Sequence, residues 1–257
     1  MSASLLQSLL DLIFPPRCEV CNTLGAEAFC DTCRAQVIPM DEPYCRLCGH
    51  LLQLSEARQT LCVSCREKPP RFDGARTVGL HTGTLRRAVL NFKFENRRQL
   101  QEPLGQLLAD RFARELETEG GLPWKLVEAL VPVPLHPKRR AWRGFDQALY
   151  LAQAMSARCG VPVVSDGMVR VRPTTPQVEL SPQERHENVR KAFAPVGEVL
   201  RGRNILLIDD VYTTGATASE AARAAKTGGA RHVYVLTISR PPPGWHPAAF
   251  AMEPGEA

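Results

Sequence analysis

The chain has few aromatic residues, no long apolar run and no large excess of one charge. Aromatic side chains make up 6% of its 257 residues, and 32 basic against 27 acidic side chains leave a net charge of +5. No apolar run reaches the roughly 20 residues that a membrane-spanning helix needs, so we expect no membrane span. The mild positive charge permits an anionic ligand or a nucleic acid without requiring either.

The first residues also lack a secretory signal, because they have neither a cationic leader nor a small-residue cleavage site. Their apolar residues recur at helical spacing and stop before Pro15 and Pro16, which predicts a short amphipathic helix packed on the protein. We therefore expect a cytoplasmic protein. Thiols stay reduced in that compartment, so clustered cysteines indicate metal binding rather than disulfides.

Cysteine is almost absent after residue 65, since only Cys159 lies beyond it. The other eight form the Cys-x-x-Cys pairs Cys18/Cys21, Cys30/Cys33, Cys45/Cys48 and Cys62/Cys65. Two such pairs supply the four thiolates of a structural zinc site, so the sequence predicts about two zinc ions. The spacing permits sequential pairing and equally a crossed pairing of first with third and second with fourth. We expect Cys48→Ser to destabilise this module and leave the rest folded.

Composition divides the chain into three parts. The prolines and glycine of REKPPRFDG, residues 66–74, indicate a linker. The predicted parts are an N-terminal helix with two zinc ribbons (1–69), a larger domain (70–240) and a proline-rich, disordered tail (241–257). In the larger domain, apolar strand segments such as ARTVGL and ILLID alternate with amphipathic helices. This alternation predicts an α/β fold, with a mainly parallel sheet flanked by helices on both faces.

The most informative segment is NILLIDDVYTTGATASEAARAA, residues 204–225. It passes from an apolar strand, through Asp209 and Asp210, into a Thr- and Gly-rich loop that opens a helix. Ligands bind at the carboxyl ends of parallel strands, and backbone amides at a helix start hold phosphate. We expect Gly215 to let a phosphate approach the backbone, and the two carboxylates to accept hydrogen bonds from ribose hydroxyls. Alternatively, the threonines only cap the helix.

Within this segment, LLIDDVYTTGAT resembles the phosphoribosyl-pyrophosphate (PRPP) motif of type I phosphoribosyltransferases. Three other segments resemble the ComF family, in which two zinc ribbons precede such a domain. They are LRRAVLNFKFENRRQL, VPVPLHPKRRAWRGFDQALYLA and RVRPTTPQVELSPQERHENVRKAF. The resemblance covers about residues 5–240 and implies a type I phosphoribosyltransferase-like fold. The sequence departs from the family pattern at Asp146, where asparagine is expected.

The resemblance implies a Mg²⁺-dependent phosphoribosyltransferase that releases pyrophosphate, with Asp209 and Asp210 as catalytic carboxylates. The implied PRPP-binding residues are Asp209, Asp210, Thr213, Thr214, Gly215, Ala216, Thr217, Lys93 and Arg143. A flexible loop over PRPP would contribute Arg172, Gln177, Arg185 and Asn188. A solvated loop followed by a capped helix accounts for those four residues equally well.

Two classes of function stay open at this point. One is the enzyme, acting in DNA uptake or nucleotide metabolism. The other is a non-catalytic protein that binds PRPP or a nucleotide, together with single-stranded DNA, beside a helicase-like competence protein. The basic cluster Lys138, Arg139, Arg140 and Arg143 is either a contact surface for pyrophosphate or DNA, or plain solvated surface. No segment identifies the acceptor nucleophile.

Overall fold

A computed structural model describes residues 15–52, 60–119, 121–173 and 182–243. The predicted N-terminal helix and residues 244–257 of the predicted tail lie outside the described residues. Pro241, at the start of that tail, is buried. Within the described part of the chain, no helix is long and apolar enough to cross a membrane.

The N-terminal region contains two similar cysteine ribbons. In each, a short helix begins directly after one cysteine and carries another in its first turn: α1 (Asp31–Ala35) follows Cys30, and α2 (Val63–Glu67) follows Cys62. The i, i+3 spacing therefore places both thiols of a pair on one side of the helix start. The tight turn after Cys48 needs a positive φ, which Gly49 adopts at +68°.

The rest of the chain alternates strands and helices. In order these are β1 (Gly74–Leu80), α3 (Gly83–Phe94), α4 (Gln101–Glu117), β2 (Ala129–Pro132), α5 (Pro137–Arg143), α6 (Gln147–Cys159), β3 (Met168–Arg170), α7 (Pro182–Val189), β4 (Phe193–Pro195), β5 (Asn204–Val211), α8 (Ala216–Thr227) and β6 (His232–Arg240). The helix α5 and the short strands β3 and β4 were not predicted from the sequence. They carry too few residues to show a hydrophobic period.

Four strands form a parallel sheet in the order β1-β6-β5-β2. β5 is central, so its residues 204–208 are buried and almost all apolar. Along it, Leu206 and Ile208 pack into the core beneath α3, α4 and α6, whereas Ile205 and Leu207 pack into the core beneath α8. The separate strands β3 and β4 pair antiparallel. The predicted parallel sheet with helices on both faces is therefore confirmed.

The cysteine ribbons are built into this sheet rather than set beside it. The segment between them runs along the outer edge of β1, where Met40 N–H donates to Val78 O at 3.1 Å and Leu80 N–H to Ile38 O at 2.8 Å. This pairing covers an edge that would otherwise be open to other strands. Cys18 and Cys33 belong to the hydrophobic core on one face of the sheet, and Cys45, Cys48, Cys62 and Cys65 belong to the core on the other.

Candidate functional site

The eight clustered cysteines form two sets of four. Within each set the sulfurs all lie within 4.8 Å of one another, and the sets are Cys18, Cys21, Cys30 and Cys33, then Cys45, Cys48, Cys62 and Cys65. We call these the first and the second cluster. The pairing is sequential, so the crossed alternative is wrong. Sulfur separations of 3.7–3.9 Å match the edge of a tetrahedron with zinc–sulfur bonds of about 2.3 Å. Four thiolates at this spacing fit a structural zinc ion.

A second site lies at the carboxyl end of the sheet, where a cleft of about 340 Å³ opens between α3, α5 and the end of β5. Six of the residues predicted to contact PRPP line it, namely Lys93, Arg143, Asp209, Asp210, Thr213 and Thr217. They come from three separate segments of the chain, namely α3, α5 and the stretch from the end of β5 to the start of α8. The edge of a parallel sheet thus brings together the residues that the sequence analysis had collected from different motifs.

Asp210 is held as a charged group by a lysine from α3. Its side chain is almost fully buried, and Lys93 Nζ lies 2.9 Å from Oδ2 and 3.1 Å from Oδ1. Burial opposes ionisation, but the charge and hydrogen bond of Lys93, with the charge of Arg143, hold the pKa of Asp210 below its usual range. In this state Lys93 is the ion-pair partner of a carboxylate and not an unoccupied cation.

Asp209 behaves differently although it is the adjacent residue. Burial, and next the negative charge of Asp210, raise its pKa to about 7, while Lys93 acts in the opposite direction. Its Oδ1 accepts a hydrogen bond from the Asp210 amide at 2.8 Å. The cleft therefore holds one carboxylate that is charged at neutral pH and one that exchanges a proton there.

The loop from Thr213 to Thr217 leads into α8. The N-cap of α8 is Gly215, with φ +79° and no capping side chain, and Thr214 Oγ1 accepts only a long 3.4 Å bond from Ala216 N–H. Thr214 therefore contributes only a weak cap to α8, and the interpretation that the threonines serve to cap the helix stays an alternative to phosphate binding. The first amides of α8 have no acceptor within the helix and face the loop with the positive end of its dipole.

Gly215 is required here for a reason that the sequence did not show. A Cβ at this position would overlap the hydroxyl of Tyr212, and φ is in the left-handed region. A small space of about 10 Å³ beside the loop is lined by Asp209, Thr213 and Thr217 and is large enough for one water molecule. The same three residues also line the 340 Å³ cleft, which is the space available to a larger ligand.

The residues predicted for a flexible loop do not gather at the cleft in the described part of the chain. Arg172 donates to the backbone oxygens of Asn188 at 3.0 Å and Arg190 at 2.8 Å, at the end of α7. Gln177 lies outside the described residues, as does the side chain of Arg185. Asn188 is partly buried at the end of α7 and does not line the cleft.

Several cleft residues were missed by sequence reasoning, among them His81, Phe94, Trp142 and Arg170. His81 directly follows β1, so the rule about carboxyl ends of strands could have found it. Its Nδ1 lies 2.7 Å from Ser239 Oγ, and burial, then the charge of Lys93, lower its pKa to about 4.

Asp146, the departure from the family pattern, is the N-cap of α6 and accepts from Leu149 N–H at 3.2 Å.

Known proteins resemble this chain both in the region of the two ribbons and over most of its length. The family model "Double zinc ribbon domain" matches residues 9–66. "Competence protein F" of Haemophilus influenzae is 30% identical over 84% of this chain and 92% of its own length. "DNA utilization protein YhgH" of Escherichia coli is 30% identical over 89% of this chain and 99% of its own. "Competence protein ComFC" of Bacillus subtilis is 25% identical, over 83% and 85%.

Among solved structures, a glutamine PRPP amidotransferase from B. subtilis matches 58% of this chain and 30% of its own, with 18% identity and a TM-score of 0.38. A purine phosphoribosyltransferase from Pyrococcus horikoshii matches 52% and 83%, with 14% identity and a TM-score of 0.27. Both scores are too low to support an argument about function. The sequence relatives are not limited in this way, because two of them share 30% identity over nearly their full length. The chain belongs to the ComF family.

Proposed function

We propose that the cleft binds PRPP, or a related ribose 5-phosphate compound, and that the chain transfers the phosphoribosyl group from pyrophosphate to a nucleophile supplied by a second substrate, which forms the new bond at the ribose C1 as pyrophosphate leaves. The observation that supports this most is the position of Asp209 and Asp210. They end a buried parallel strand beside the amino end of α8, and they face cationic side chains from α3 and α5. Few other ligands combine a phosphate, a sugar diol and a second anionic group at this spacing.

In this proposal each group has a chemical task. Asp209 and Asp210 accept hydrogen bonds from the ribose hydroxyls, and the α8 amides with Thr213 and Thr217 hold the 5-phosphate. Arg143 and Lys93 offset the charge of the leaving pyrophosphate. Positive charge grows at the ribose C1 as that bond breaks, and the carboxylates stabilise it. A Mg²⁺ ion, when bound, would neutralise the pyrophosphate oxygens.

The test is the double variant Asp209→Asn/Asp210→Asn, which keeps the shape and removes the charge. Losing two hydrogen bonds to charged groups should weaken PRPP binding about 100-fold. Titration calorimetry with PRPP and Mg²⁺ measures this, and thermal unfolding shows whether the variant is folded. Asp146→Asn is the control, because asparagine also caps a helix and Asp146 does not line the cleft. Unchanged affinity in the folded double variant would contradict the proposal.

The pKa of Asp209 adds a pH dependence. Its folded pKa, about 7, lies above its ordinary value of 3.8, so the carboxylate is mostly protonated at pH 6 and mostly charged at pH 8. Mg²⁺-dependent PRPP affinity should therefore rise between these pH values. The rise should be lost in Asp209→Asn and kept in Asp146→Asn. An identical pH profile in Asp209→Asn and the parent would show that Asp209 is not the titrating group.

A second candidate function, binding of single-stranded DNA, is favoured by Trp142 on α5. Its side chain is 74% exposed beside Lys138, Arg139 and Arg140. An exposed aromatic ring among cations is the arrangement on which unpaired bases stack while phosphates are held. Two of the named relatives are competence proteins, and we extend to this chain a cytoplasmic role in DNA uptake with a helicase-like partner.

Trp142→Ala should weaken oligonucleotide binding about tenfold, since a stacked base contributes about 1–3 kcal/mol. The triple alanine variant of Lys138, Arg139 and Arg140 should flatten the salt dependence of binding. The matched control replaces Arg201, Arg203 and Arg231, which lie where β5 and β6 begin, at the opposite end of the sheet. Equal losses in the two triple variants would indicate non-specific attraction instead of a surface on α5.

A further inference from the structure

Tyr212 lies between the second cysteine cluster and the loop from Thr213 to Thr217, which we call the phosphate loop. It follows Asp210 by two residues and is 5% exposed. The guanidinium of Arg240 covers its ring with Cζ 4.3 Å from the centroid, and Phe72 meets the ring edge-on at 6.2 Å. Its hydroxyl and the ring carbons Cζ and Cε1 occupy the space that a Cβ of Gly215 would need. The loop therefore rests directly on this ring.

Arg240 connects Tyr212 to the second cysteine cluster. It is the last residue of β6 and is 8% exposed. Its Nη1 donates to the carbonyl oxygen of Cys48 at 2.6 Å, and its Nη2 lies 4.0 Å from the Cys48 sulfur. Four thiolates around a zinc ion carry net negative charge, and a buried guanidinium beside them compensates part of that charge.

Two further contacts fix the position of Tyr212 and of the helix after the loop. Tyr212 N–H donates to Ser239 O at 2.9 Å, which extends the pairing of β5 with β6 and places Tyr212 beside Arg240. The amide of Arg71, six residues after Cys65, donates to Ser219 Oγ on α8 at 3.1 Å. Side chains of Tyr212, Phe72, Ala218 and the four cysteines belong to one hydrophobic core.

We propose that the second cluster positions the phosphate loop, and that Arg240 and Tyr212 are the positioning residues through which it acts. The zinc-bound ribbon fixes Arg240, Arg240 fixes the ring of Tyr212, and the ring fixes Gly215 and the start of α8. The ligand part of this inference rests on the proposed function, because the loop is taken to hold the 5-phosphate of PRPP. The first cluster has no such contact with the loop among the described residues.

The test compares two arginines that each connect a ribbon to the body of the protein. Arg240→Met removes the contact with Cys48. Arg97→Met is the matched control, because Arg97 Nη1 donates to Glu19 of the first ribbon at 2.9 Å and does not line the cleft. Tyr212→Leu removes the ring, and Tyr212→Phe keeps it. The zinc-loaded full-length protein is used throughout, and zinc content and unfolding temperature are measured for each variant.

Two quantities are read, PRPP affinity with Mg²⁺ and hydrogen exchange of the amides of residues 212–218. Arg240→Met and Tyr212→Leu should each weaken PRPP binding about tenfold and speed loop exchange by a similar factor, a usual size for coupling between sites. Tyr212→Phe and Arg97→Met should stay within about twofold of the parent. A merely structural role would lower the unfolding temperature in both arginine variants without separating their affinities. If Arg240→Met does not fold, Arg240→Lys, which keeps the charge but not both donors, replaces it.

The outcomes separate this inference from the proposed function. If the parent does not bind PRPP, the proposed function fails, and loop exchange alone still decides whether the cluster positions the loop. If the parent binds PRPP but Arg240→Met and Tyr212→Leu match Arg97→Met in both affinity and loop exchange, the positioning role is wrong. Faster loop exchange in Arg240→Met and Tyr212→Leu, with the exchange of Tyr212→Phe and Arg97→Met close to that of the parent, supports it.

Discussion

The two cysteine clusters have the same four ligands and different surroundings. In the second cluster all four cysteines are buried, between 0% and 6% exposed. In the first, Cys18 and Cys33 are buried, Cys30 is partly exposed and Cys21 is exposed. The same set of four cysteine ligands is therefore fully buried in the second cluster and partly exposed to solvent in the first. The comparison indicates that the contacts around a structural metal site decide how much of the fold depends on it.

Those contacts differ in kind. The first cluster is tied to α3, where Thr84 Oγ1 donates to Cys33 O at 2.9 Å and Asn91 Nδ2 to Glu19 O at 2.6 Å. These bonds join the first ribbon to one helix, and two of its four cysteines, Cys18 and Cys33, also belong to the core on that face of the sheet. The second cluster contacts β6 through Arg240 and shares its core with Ala75 of β1 and Leu207 of β5. All four of its cysteines are buried in the core on their face of the sheet, against two of the four in the first cluster.

The largest difference should follow loss of one thiolate from each cluster. Cys48→Ser should lower the free energy of unfolding by about 5 kcal/mol, because it removes a buried ligand and loosens the core beneath α8. Cys21→Ser should lower it by about 2 kcal/mol, because an exposed ligand position can be filled by water. Urea unfolding followed by circular dichroism measures both, and elemental analysis should give about two zinc ions per parent chain.

This prediction changes the expectation from the sequence, in which loss of Cys48 damages the ribbon module alone. The shared core makes loss of cooperativity in the whole sheet the expected result. If Cys48→Ser shows two separate unfolding transitions and the later one matches the parent, the module is independent after all. Equal losses in Cys21→Ser and Cys48→Ser would remove the contrast between the clusters.

Local patterns predicted much of this structure. The cysteine spacing, the apolar segment of β5 and the paired aspartates are all short-range signals, and each lies where the sequence placed it. The link from Arg240 to Cys48 spans 192 residues, and no period or motif marks it. The lowered pKa of Asp210 likewise depends on a distant residue, because Lys93, 117 residues before Asp210, opposes the effect of burial with its charge and its hydrogen bond. Neighbouring identical residues cannot reveal such a partner.

The next contrast concerns the buried ion pairs near each ribbon. Glu115 of α4 is fully buried and accepts from Arg76 Nε at 3.0 Å and from Arg111 Nη2 at 2.6 Å. Arg76 also donates to Arg46 O of the second ribbon at 3.0 Å. Glu115→Gln leaves two buried guanidinium groups short of one negative charge, so it should cost about 3–5 kcal/mol of unfolding free energy. Chemical denaturation at neutral pH measures it.

The counterpart near the first ribbon is Glu19, whose partner Arg97 is 42% exposed. Water compensates part of that guanidinium, so Glu19→Gln should cost about 1 kcal/mol. Measuring both variants with added salt sharpens the comparison. In 0.5 M NaCl the loss of unfolding free energy should become smaller in Glu19→Gln and stay nearly unchanged in Glu115→Gln. A loss in Glu19→Gln as large as that in Glu115→Gln would show that the first ribbon is as firmly integrated as the second.

The smallest effect is expected at the surface of the first ribbon. Glu27 and Arg34 approach to 3.9 Å, and their side chains are 80% and 32% exposed. Such a pair gains little, because water and salt screen the attraction and two long side chains lose freedom. Glu27→Gln should therefore change the unfolding free energy by less than about 0.5 kcal/mol. It should leave the zinc content of the first cluster unchanged, since Glu27 offers no ligand to it. A loss above about 1 kcal/mol, or release of zinc, would mean that the exposed ribbon depends on its surface charges, and the contrast between the clusters would have to be redrawn.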